Sequence, residues 1–195
     1  MNAQPGDRIA GGLMAAAAIL SIVVMAHHPS GGDNAALANG VHGALMIFSL
    51  MLLVGFYRFA VQEGFGRFSV IAGLVAYCAG SFGNLLAATV NGFAVPGLAA
   101  RGAAKDVFAF AWELNQALAY EAVFAISAAF ALWGLSLVRR GSPVVGAAGL
   151  AAGILPAALL ATGVLDMHVA GAAAIYAIQA LFSFMIGVRM AARRA

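Results

Sequence analysis

The sequence predicts an all-α, polytopic membrane protein with six transmembrane helices, and three observations carry that prediction. Of the 195 residues 64% are hydrophobic and only 9% are charged, against about 25% charged in soluble domains. Mean hydropathy is +0.97, which leaves too little polar surface for a water-soluble fold. Six apolar runs of helix-spanning length are separated by turn-forming stretches, and about 20 such residues cross a hydrocarbon core about 30 Å thick.

The first run, residues 9–26, follows Arg8 and ends at His27-His28-Pro29, where the proline stops a helix. The second, 41–60, is entered from Asn39-Gly40 and leaves through Arg58 and the breaker QEGFGR. The third, 68–90, begins after Arg67 and is rich in glycine and alanine. The stretch NGFAVPGLAARGAAKD is long for a helix connection and apolar at Phe93, Val95 and Leu98, so it reads first as a simple interfacial loop, with a lid over the polar layer as the alternative. The fourth run, 111–138, opens with WELNQALAYEA; continuous from Asp106 to Arg139, such a helix must tilt or project beyond one bilayer. The fifth, 144–164, contains Gly149 and Gly153 at GxxxG spacing with Pro156 beyond them, and the sixth, 169–190, follows the short connection TGVLDMH. All six belong to one domain spanning residues 1–195. Odd-numbered runs start after a basic residue and even-numbered ones end in a glycine-plus-basic stretch, which suggests three similar hairpins.

Orientation follows from charge. Arg8, Arg58, Arg67, Arg139, Arg140, Arg189, Arg193 and Arg194 fall on the face shared by the termini, leaving Arg101 and Lys105 on the other. The positive-inside rule then predicts cytoplasmic termini in a bacterial-type inner membrane. Val24-Met25-Ala26 resembles a signal-peptide cleavage site, but the apolar run is long and its basic flank is a lone Arg8. Trp112 and Trp133, at opposite ends of the fourth run, fit interfacial aromatic belts. The net charge of +3 sits beside the spans, pointing to topology and anionic lipid and away from nucleic acid. Cys78, the single cysteine, excludes an intrachain disulfide and any cysteine metal motif.

Ionisable and polar groups inside spans are costly and mark candidate sites. Counted from the basic anchor of each span at about 1.5 Å per residue, His27 lies at about 28 Å, His42 at about 24 Å, Asn84 at about 26 Å, Glu121 at about 27 Å and His168 at about 32 Å. Five helices thus bring a polar group to one layer near the outer face, with His28, Asp33, Asn91, Glu113, Asn115, Gln116 and Asp166 at or just beyond it. Glu113, Gln116 and Tyr120 share one helical face, with Glu121 beside it. All four histidines fall on that side. Imidazole ligates transition metals and haem iron, and carboxylates coordinate directly or orient a ligating ring. The expected site therefore takes haem b or a copper or zinc ion, with His42, His168 and His27 as ligands and Asp166 and Glu121 in support. Such a protein is a redox or metal-handling component of a membrane assembly, in contact with lipid and with other subunits or copies of itself. Two alternatives are a cofactor-free accessory or assembly subunit, whose glycine and alanine faces pack on partner helices, and a small-solute transporter. The second of these is disfavoured by a terminal-side half holding little beyond Ser49, Ser127 and Ser136. An intramembrane hydrolase on the same histidines and carboxylates is a further reading, with no motif to single it out.

Overall fold

The computed structural model describes residues 5–29 and 34–192; Asp33, expected near the polar layer, lies outside them. Seven α-helices follow in order: α1 (Pro5–Met25), α2 (Ala35–Glu63), α3 (Phe68–Thr89), α4 (Val95–Ala100), α5 (Lys105–Arg139), α6 (Pro143–Ala161) and α7 (Val169–Ala192). A π-helical turn, Val90–Ala94, joins α3 to α4. There is no strand among the described residues. Among the described residues six helical stretches are long and apolar enough to cross a membrane, α3 and α4 counting as one.

Helices adjacent in sequence touch, and α7 packs back on α1, so the six spans close into a ring. The expected hairpins are not set apart as units, because α5 with α6 and α1 with α7 meet as closely as the partners within each hairpin. Small residues make those approaches possible. Gly134 faces Gly146 and Gly149 across the α5–α6 contact, and a Cβ on Gly134 would lie 2.5 Å from the Leu150 nitrogen. Without a hydrophobic drive between helices in lipid, such backbone contact supplies the packing energy. The outward surface remains apolar, with Phe68, Phe82, Val144 and Leu181 each more than half exposed, as suits contact with lipid.

Inside the ring, an aromatic cluster fills the half nearer the termini. Phe56 stacks on Trp133 with centroids 4.9 Å apart, and Tyr77, Phe130 and Phe182 complete the group. Trp133 is therefore not an interfacial belt residue. It is fully buried, its indole N–H donates to the Val70 carbonyl at 3.3 Å, and Gly73 leaves the space its ring occupies. Helix position alone could not reveal that the ring turns inward.

The terminal end of the bundle is tied by ion pairs. Asp7 of α1 is buried against Arg58 of α2, whose Nε donates at 3.0 Å. Glu63, at the end of α2 and 2% exposed, pairs with Arg140 and lies 3.6 Å from Arg189 of α7. Basic residues expected only to set topology thus also hold α1, α2, α5 and α7 together.

The expected loop after the third span is instead helical. The π turn shifts the hydrogen-bond register so that the Val95 N–H reaches the Val90 carbonyl, and Pro96 then enters at the first turn of α4, where its missing N–H is harmless.

Candidate functional site

A cavity of about 190 Å³ opens within the ring on the side away from the termini. Helices α1, α2, α3, α5 and α7 and the π turn line it, while α6 contributes no lining residue. Asn84, Asn91, Asn115 and Gln116, all expected in the polar layer, stand on its wall. The Tyr176 hydroxyl donates to Asn84 Oδ1 at 3.0 Å, and the Gln116 amide reaches the Met167 carbonyl at 3.5 Å. The π turn does part of what a lid would do, since Asn91 lines the cavity and Gly92 packs on His42.

At this end two histidines meet. His28 Nε2 lies 3.2 Å from His42 Nε2, with ring centroids 4.9 Å apart and planes at 76°. His42 is about two turns into α2, and its Nδ1 bonds the Ala38 carbonyl at 2.8 Å. His28 follows the end of α1, where Pro29 cannot continue the helix, and its Nδ1 bonds the Pro29 carbonyl at 3.0 Å. A carbonyl oxygen can only accept, so each Nδ1 carries the proton. In neutral rings both Nε2 atoms then present lone pairs to each other. Two lone pairs at this distance repel unless a cation stands between them. Burial pushes His28 below the ordinary imidazole range, against the opposing pull of the Pro29 carbonyl, and this favours the unprotonated, ligating form.

The remaining expected ligands are placed elsewhere. His27 is exposed, with its Nδ1 on the Val23 carbonyl of its own helix at 2.8 Å. His168 is exposed too, 2.9 Å from Asp166 Oδ2, and its ring rests on Trp112 with centroids 5.5 Å apart. Asp166 also accepts from the His168 backbone N–H at 3.0 Å, an Asx turn leading into α7. That bond, ahead of the His168 ring, holds the Asp166 carboxyl below its usual range. Glu121 sits on the exposed side of α5, its carboxylate over Gly83 of α3, and Glu113 is exposed as well. The structure thus brings together His28 and His42, and sets His27, His168, Asp166 and Glu121 apart from them. Among the described residues no three of His, Cys, Asp or Glu come together in one group.

Sequence reasoning placed His28 in the right layer without pairing it to His42. It also passed over Gln179 and Ser183, which line the inner part of the cavity from α7. Their signal was available, since Gln179 is a carboxamide in the middle of an apolar span and Ser183 stands one turn on. The chain matches no protein family, no curated protein and no solved structure.

Proposed function

We propose that this membrane bundle binds one transition metal ion, zinc or copper, through Nε2 of His28 and Nε2 of His42, as a metal-handling component of a bacterial-type inner membrane with cytoplasmic termini. The observation that carries the reading is the 3.2 Å separation of two Nε2 atoms whose Nδ1 partners are both occupied by carbonyls. On a tetrahedral ion with bonds of about 2.0–2.1 Å, two imidazole nitrogens stand about 3.3–3.4 Å apart. The pair therefore needs almost no movement to chelate. A bis-histidine haem requires the nitrogens on opposite sides of iron, about 4 Å apart at comparable bond lengths, with a porphyrin between them, so the geometry favours a small ion over haem b. Remaining coordination positions fall to water, an arrangement open to exchange. The Nδ1–carbonyl bonds fix both rings in the ligating tautomer.

The test is metal content after purification on a tag without histidine. Loading with zinc or copper(II) and removing excess should leave about one ion per chain. His28→Ala and His42→Ala should each lose it, while His27→Ala and His168→Ala retain it. Absence of retained metal, equal retention by His42→Ala, or a Soret band in the purified protein would overturn the small-ion reading.

A further inference from the structure

Inward of the histidine pair the cavity continues to Ser49, Tyr77, Gln179 and Ser183. Gln179 lies ten residues before Arg189, about 15 Å along the helix and so near the bilayer midplane. Phe56, Phe130 and Trp133 close the terminal side, which makes the cavity a blind pocket. Its chemistry restricts what fits. None of the described lining residues is Asp, Glu, Lys or Arg, so no side chain neutralises an ionised guest, and burying an unpaired charge there is prohibitive. Tyr77 and Phe130 present aromatic surface on the wall, suited to a flat apolar body. Gln179 is 5% exposed, and its amide nitrogen has no hydrogen-bond partner in the protein. The neighbouring Ser183 hydroxyl donates to the Gln179 backbone carbonyl at 2.9 Å and accepts nothing from the amide nitrogen. A buried donor without an acceptor is uncommon and marks a place where an acceptor is supplied from outside the chain.

We infer that the pocket binds a neutral aromatic carbonyl compound from the lipid phase, a quinone head group being the form a membrane supplies. With its carboxamide turned into the cavity, Gln179 donates from Nε2 to the carbonyl oxygen, and the ring lies against Tyr77 and Phe130. This site is independent of the metal reading, since it uses neither histidine nitrogen.

Trp133 stands against both Tyr77 and Phe130, so its fluorescence reports occupancy, with Trp112→Phe removing the signal of the other tryptophan. The full chain in lipid nanodiscs, treated with a chelator, is titrated with menadione and with 1,4-dimethylnaphthalene, a ring of similar size lacking the acceptor. Expected are saturable quenching by menadione, at least tenfold weaker binding of the hydrocarbon, and a comparable loss in Gln179→Met, whose metal retention matches the parent. Equal binding of both probes overturns the inference and needs no variant. Quenching that never saturates also overturns it and leaves water as the partner of Gln179. Unchanged menadione affinity in a folded Gln179→Met overturns the assigned donor.

Discussion

Gly92 of the π turn lies directly against His42: a Cβ on Gly92 would stand 2.5 Å from the His42 Cβ. The irregular turn that ends α3 thus presses on the side chain of a candidate ligand from a neighbouring helix. Gly92→Ala should displace α2 or the turn, at a cost of about 1–3 kcal/mol for overpacking. Metal affinity should fall several-fold although both histidines remain. Metal titration of a folded variant checks this, and unchanged affinity would show that the turn does not set the position of His42.

The buried ion pairs at the terminal end predict a different phenotype. Removing one partner of a fully buried pair costs about 3–5 kcal/mol, but Arg140 is 36% exposed beside Glu63, so Glu63→Gln should cost less than that range. Unfolding in mixed micelles should show lower stability with unaltered metal stoichiometry, because the histidine pair is at the other end of the bundle. Stability equal to the parent would contradict a tethering role for Glu63.

Six spans, their order and the height of the polar residues were legible in the sequence, because apolar run length and distance from basic anchors depend only on helix rise. Rotation about each helix axis was not. His27 and His28 stand side by side just past the end of α1, and only His28 meets His42. Trp133 shows the same limit: its depth suited an interface, but its side chain turns to Phe56. Local breakers misled at Asn91-Gly92 and Pro96, where a π turn keeps the chain helical. Glu63 read as part of a loop, and its contacts to Arg140 and Arg189 come from helices distant in sequence.

The two tryptophans should be separable in solution. Trp133 is fully buried, whereas Trp112 is 42% exposed. Iodide should quench Trp112 and leave the Trp133 emission unaffected. Trp133→Ala should destabilise the bundle by about 3–5 kcal/mol, the range for removing a large buried aromatic. Equal quenching of both residues would place Trp133 at the surface and contradict the aromatic core.

Asp166 makes a pH-dependent contribution to the start of α7. Its carboxyl is held below the ordinary aspartate range, first by the His168 backbone N–H and also by the His168 ring. A depressed folded-state value means stabilisation that is complete above the unfolded pKa of about 3.9 and is lost as pH falls through the folded value. The Tm difference between the parent and Asp166→Asn should therefore narrow on acidification from pH 6 to pH 3. A constant difference would show that the charge does not matter there.

X-ray absorption fine structure of the zinc-loaded protein tests the central claim most directly. Two imidazole nitrogens at about 2.0 Å are expected in the parent, falling to one or none in His42→Ala and in His28→Ala. A spectrum showing only oxygen neighbours, or an imidazole signal unchanged in both variants, would contradict a metal ion held between His28 and His42.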